Sequence, residues 1–253
     1  MSEQLVICRR FCGFADIALG GYVGGLLAGR LRGPVEVRLR GIVPMERPLE
    51  IEHPDSDRVD LRADDIVLAE ARRTELDIEV PAPVSLSAAE VASSSYPGFK
   101  AHLFPGCFTC GPGRAAGDGL RIFPGRIEGR ELVAAPWMPA PSLADSKGSL
   151  PAEFVWAALD CPQLWSLITS APPESNDTVV TAGMTVRVES MPQPGGRYVI
   201  LAWPMHREGH AIFAGGAILS EEGEPLVTSV QRTVVVSGRG VPVGFQHWTA
   251  QAG

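Results

Sequence analysis

Three places in the sequence hold residues whose type and spacing could do chemistry. The first is Asp160, which closes the apolar run Trp156-Ala157-Ala158-Leu159. A carboxylate in such company is costly unless it has a partner, a wet cleft or a task. The second is the pair Gly20-Gly21, followed by Tyr22, at the head of another apolar run. A helix starting there exposes unpaired N–H groups and a partial positive charge, and glycines let a carbonyl oxygen approach them, as an oxyanion hole requires. The third is Cys107-x-x-Cys110, set among glycines and prolines.

Each has a plain structural reading beside the chemical one. Pro162 has no N–H to give a helix, so a helix there is expected to break and restart, with Asp160 capping its second segment. Capping and catalysis both stay open for this carboxylate. Gly20, Gly21, Gly24, Gly25 and Gly29 form a smooth strip at helical spacing. Each interior glycine costs a helix about 1 kcal/mol relative to alanine, so close packing must compensate. Packing accounts for Gly24, Gly25 and Gly29, while the pair at the opening favours ligand contact. For the cysteines, a structural zinc needs four ligands and the sequence has one Cys-x-x-Cys. Cys8, Cys12, Cys161 or His102 could complete a set, but their spacing carries no signature. A tight turn with two buried thiols is therefore expected, with no metal and no cofactor; a zinc or redox module is the rival. His206 and His210 flank Arg207-Glu208-Gly209, a hairpin turn rather than a helix face, which argues against a metal pair. The chain has no Gly-x-Ser-x-Gly elbow and no Gly-x-Gly-x-x-Gly loop.

Two helices must position these groups. The first is expected over residues 17–31, with Asp16 as N-cap and Gly33-Pro34 as its stop. The second is expected over 151–169, with Pro151 and Glu153 in its first turn and Pro172-Pro173 beyond its end. Period-two segments follow each helix: 35–43, 48–52, 58–62 and 65–80 after the first, and 178–190, 197–205, 210–220 and 225–236 after the second. That alternation predicts half-buried antiparallel sheet, with turn residues between strands. Residues 119–123 and 131–137 read as a further hairpin ahead of the second helix. The order, helix and then four strands, repeats. Val35-Glu36-Val37-Arg38 echoes Met184-Thr185-Val186-Arg187, and residues 66–74 echo 226–233. The reading is thus an N-terminal unit over 1–80, a Pro-, Gly-, Ala- and Ser-rich linker over 81–118 and a C-terminal unit over 119–253.

Composition narrows the function classes. With 45% hydrophobic and 20% charged residues in 253, the chain is globular rather than disordered. Asp+Glu of 29 against Lys+Arg of 22 gives −7, the wrong sign for a nucleic-acid partner. The opening residues do not read as a secretory leader, and no apolar stretch approaches a membrane span. Five cysteines, an odd number, fit free thiols in a reducing cytoplasm.

The run Cys107 to Gly111 ahead of Gly119-Leu120-Arg121-Ile122 resembles an entry motif of acyl-CoA thioesterase-like hotdog proteins. Leu159-Asp160-Cys161 is similar to the acid-bearing stretch of their central helix, and Leu19-Gly20-Gly21-Tyr22 to the Gly-Gly-Tyr that opens it. The resemblance implies an α+β double hotdog, two central helices each wrapped by antiparallel sheet. It implies Asp160 as general base or nucleophile on a thioester carbonyl held by the amides at Gly21 and Tyr22, with Gly20 beside them. Because the first helix has the glycines and the second the acid, one composite site per chain is expected between the units. The family's hydratases place a histidine five residues after the acid; here Trp165 stands there, which disfavours that chemistry. The expected ligand is an acyl thioester of coenzyme A or of a carrier, with a homodimer open. The rival reading is a non-catalytic protein that binds an acyl or aromatic ligand in the same cleft.

Overall fold

The computed structural model describes residues 3–14, 16–171 and 177–237. Near the N-terminus come β1 (Glu3–Val6), β2 (Cys12–Phe14), β3 (Ile17–Ala18) and α1 (Gly20–Ala28). Strands β4 (Val35–Leu39), β5 (Pro48–Asp55), β6 (Arg58–Ala63) and β7 (Ile66–Arg73) follow, then α2 (Leu86–Ser94). The remainder is β8 (Gly125–Arg126), β9 (Val133–Trp137), α3 (Ala152–Ser170), β10 (Asp177–Val188), β11 (Tyr198–Glu208), β12 (Ala211–Leu219) and β13 (Pro225–Ser237).

Eleven strands form one antiparallel sheet in the order β1-β5-β6-β7-β4-β10-β13-β12-β11-β9-β8. Helix α1 lies on β4, β6, β7 and β10, and α3 lies on β9 to β13. The halves meet at β4 and β10, where Val35 faces Val186, Glu36 faces Thr185 and Val37 faces Met184. These are the two echoing segments, and their pairing is unchanged when one is exchanged for the other.

The helices also pack directly on each other, which explains most of the glycine strip. A Cβ on Gly25 would stand 2.3 Å from Glu153 Cα, and one on Gly24 would stand 2.6 Å from the Trp156 ring. Gly29 differs, because its Cβ would meet nothing closer than 3.4 Å. It is the C-cap of α1 and not part of the close contact.

Several expectations need correcting. Helix α1 starts later than expected: Ile17 and Ala18 form a strand, Leu19 is the N-cap without a side-chain bond, and Asp16 pairs with Arg9 at 2.9 Å. Helix α3 runs through Pro162 without a break, so there is no second segment for Asp160 to cap. A proline inside a helix costs about 3 kcal/mol and frees carbonyls one turn back. Side-chain donors cover neighbouring carbonyls here: Thr109 donates to Ala157 O at 2.7 Å and Gln231 to Asp160 O at 3.1 Å. Residues 119–123 are not a strand. The connection over 81–118 holds α2, capped by Ser85, whose hydroxyl accepts from Ala88 N at 3.2 Å. Ala89 of α2 packs with Val199 and Leu201 on the sheet face opposite α3, while Ile200 turns to the α3 side. The expected stop at Pro172-Pro173 and the chain after 237 lie outside the described residues.

Candidate active site

Asp160 sits in the middle of α3 with 1% of its surface exposed, on the side facing α1. Three elements converge on its carboxylate. The Gly21 N–H, in the first turn of α1, donates to Oδ2 at 2.7 Å. The Thr181 hydroxyl on β10 donates to Oδ1 at 2.7 Å, and Gln231 Nε2 on β13 donates to the same oxygen at 2.6 Å. Gln231 also reaches Thr181 Oγ1 at 3.1 Å, so carboxylate, hydroxyl and amide form a closed cluster. Burial pushes the Asp160 carboxyl up to about 6, against the opposing pull of these donors. Among the described residues, Gln231 Oε1 is a buried acceptor without a hydrogen-bond donor. It is a polar atom with capacity to hold one more proton donor beside Asp160.

Sequence reasoning singled out Asp160 but missed Thr181 and Gln231. A signal for the second was present. Ser229, Gln231 and Thr233 fall at i, i+2 and i+4 on β13 and are all buried, so a polar row faces α3 where apolar residues would be ordinary. Ser229 and Gln163 supply the neighbouring link, with the Ser229 hydroxyl donating to Gln163 Oε1 at 3.0 Å.

The glycine pair divides its labour. Gly20 lines a cleft, and Gly21 is locked by contact, since a Cβ there would stand 2.7 Å from Trp156 O and 2.8 Å from Asp160 Cβ. The Gly21 amide, expected to face a substrate oxygen, points instead at the carboxylate. A single N–H directed at one charged acceptor at this distance is committed to it. The Tyr22 side chain packs away from the carboxylate, stacked on Phe11 with ring centres 4.1 Å apart. In α1 the first amide to find a carbonyl of its own helix is Val23, on Leu19 O. The Gly20 and Tyr22 amides precede that turn and have no intrahelical acceptor.

The cleft has a volume of about 430 Å³, within the usual range for small-ligand sites. Asp160, Thr181 and Gly20 stand on its wall, and the rest is largely apolar, with Leu39, Trp165, Ile168 and Val234 among the lining. Arg40 is the lining cation, and it is paired with Glu70 at 2.7 Å. Residues of both halves build the wall, so the glycine-bearing helix and the acid-bearing helix do meet at one place.

No protein-family model matches the sequence, and no curated protein matches it. Solved structures match its shape over nearly the full length. A TesB protein of Mycobacterium avium subsp. paratuberculosis is similar with a TM-score of 0.59 at 15% identity, over 93% of each chain. A candidate thioesterase II from Thermobifida fusca gives 0.59 at 12% identity, over 92% of this chain and 93% of that one. A hot dog fold protein of unknown function from Alicyclobacillus acidocaldarius gives 0.54 at 13%, over 96% and 94%. At such identities the likeness speaks for architecture alone, and together with one large antiparallel sheet bearing few helices it gives the chain a hotdog fold.

Proposed function

We propose that the chain is a double hotdog, with units over 1–80 and 119–253 joined by 81–118, and that it hydrolyses an acyl thioester of coenzyme A or an acyl carrier in one composite site. The observation that carries the reading is the convergence of Gly21 N, Thr181 Oγ1 and Gln231 Nε2 on one buried carboxylate at the wall of an apolar cleft. An apolar trough suits an acyl chain, and a fixed carboxylate with hydroxyl and amide neighbours suits a water molecule that must be aimed.

In this mechanism Thr181 and Gln231 hold water against Asp160, which takes one of its protons as the oxygen attacks the thioester carbonyl. The carbonyl oxygen gathers negative charge at the open end of α1, where Gly20 lines the cleft and the helix dipole supplies a partial positive charge. Collapse of the tetrahedral intermediate breaks the carbon–sulfur bond, and the proton on Asp160 passes to the leaving thiolate. One thioester and one water become one carboxylic acid and one thiol.

A panel of acyl-CoA esters assayed for free thiol tests this directly. Turnover is expected for at least one chain length, and Asp160→Asn is expected to slow it about 10²–10⁴-fold, the span of general acid–base contributions. Unchanged turnover in that variant removes Asp160 from the chemistry.

The second reading, a non-catalytic acyl-binding protein, has its own support. Three donors already occupy the carboxylate, which ties α1, α3, β10 and β13 together as a purely structural knot would. Saturable binding of acyl-CoA without thiol release decides for it.

A further inference from the structure

The turn at Cys107-x-x-Cys110 does not stand alone. Helix α3 brings Cys161, the residue after Asp160, against it, and the sulfurs of Cys107, Cys110 and Cys161 all lie within 4.8 Å of one another. Cys107 and Cys161 are in contact at 3.5 Å. All three side chains are buried and none is in a disulfide. His102 Nε2 stands 3.2 Å from Cys110 Sγ, while its Nδ1 accepts the Phe104 N–H at 2.9 Å. That second bond makes Nε2 the protonated nitrogen, so the ring is a donor to sulfur. Of the four companions that spacing left open for the Cys-x-x-Cys, Cys8, Cys12, Cys161 and His102, the fold brings Cys161 and His102 to it.

We propose that Cys107, Cys110 and Cys161 bind one thiophilic d¹⁰ cation, Zn²⁺ in the first instance, as a three-thiolate centre beside the Asp160 site. Zinc–sulfur bonds of about 2.3 Å in tetrahedral array hold sulfurs about 3.8 Å apart, and the cluster needs only small side-chain adjustments to reach that spacing. A thiol–disulfide role uses sulfurs in pairs and would strand the third one; three in mutual reach suit a metal. The turn is also built to keep its sulfurs converging. A side chain at Gly111 would stand 2.4 Å from Pro105 O and 2.5 Å from Cys107 N, so the turn stays tight.

Binding releases three protons for the three sulfur–metal bonds formed and leaves the centre with one net negative charge, against which His102 Nε2–H is already aimed. The cation enters from the cleft, whose wall includes all three cysteines and His102, and the fourth position falls to an oxygen donor from that side. Once loaded, the centre cross-links the 107–110 turn to α3 at the residue next to Asp160.

The test uses the full chain, reduced and stripped with a chelator, then titrated with Zn²⁺. One equivalent is expected, with X-ray absorption fitting three sulfurs at about 2.3 Å and one lighter donor, and a raised melting temperature on loading. Cys110→Ser and Cys161→Ala are expected to lose the stoichiometric uptake, and His102→Ala to weaken it about 10–100-fold as a donor outside the ligand set. Asp160→Asn is expected to retain it, which separates this centre from the hydrolytic reading. Because a cysteine variant could fail to fold, reversible loading of the wild-type chain, followed by circular dichroism, stands as the independent readout. Absence of uptake by the reduced wild type, uptake without sulfur in the first shell, or equal uptake by folded Cys110→Ser overturns the proposal.

Discussion

At the scale of residues, Asp160 was legible because a charge at the end of Trp156-Ala157-Ala158-Leu159 has no innocent place in a soluble helix. Its partners were not. Thr181 and Gln231 lie on strands 21 and 71 residues further along, and only strand register turns them toward the same oxygen. Spacing marks Gln231 only as one of the polar row Ser229, Gln231 and Thr233, and holds no trace of that convergence. The arrangement gives a graded expectation. Hydrogen bonds to a charged group contribute about 1.5–3 kcal/mol each, so Thr181→Val and Gln231→Leu are expected to slow thiol release roughly ten- to a hundredfold, mainly in kcat. A fall confined to KM in steady-state assays would instead mark them as binding residues.

At the scale of elements, the strands and α3 were readable from period two and from a long apolar run bounded by prolines. What escaped was context. Helix α2 is Leu86-Ser87-Ala88-Ala89-Glu90-Val91-Ala92-Ser93-Ser94, too poor in large apolar residues to announce a buried face, yet Ala89 and Ala92 are buried because the sheet comes close. Helix α3 continues through Pro162, while Thr109 and Gln231 donate from outside the helix to the nearby Ala157 and Asp160 carbonyls. The glycines of α1 looked alike in sequence and divide in space. Gly25→Ala drives a methyl into the Glu153 backbone and is expected to cost about 1–3 kcal/mol. Gly29→Ala meets only ordinary contacts and, with φ of −60° at that residue, is expected to be neutral or to stabilise by less than about 1 kcal/mol. Urea denaturation of the two variants beside wild type checks the contrast, and equal effects would refute the close-packing account.

At the scale of the whole molecule, the repeat of helix and strands was visible as order; the echo of 35–38 in 184–187 falls at the seam, and that of 66–74 in 226–233 on the strands flanking it. The site draws on both sides of that seam but has no mirror-related copy across it. Helix α1 carries no acid. With Val35 taken as the counterpart of Met184, the strand registers put Arg73 where the second half has Gln231. Arg73 pairs with Asp57 at the surface, so it serves no mirrored cluster. Calorimetry with a non-hydrolysable acyl thioether is accordingly expected to give one ligand per chain, and two equal sites would contradict the asymmetry. Among the described residues, no helix is long and apolar enough to cross a membrane.

The exchange-symmetric ladder at β4 and β10 also governs which partner each half prefers. If the first half met a second copy of itself through this edge, Glu36 would lie directly opposite Glu36, and facing like charges destabilise a sheet. Two copies of the second half would set Thr185 against Thr185, a neutral pair. The native seam sets Glu36 against Thr185 and avoids the repulsion altogether. The pivot of the ladder thus holds one charge rather than two, and that charge is met by Arg38 on the same strand at 2.9 Å.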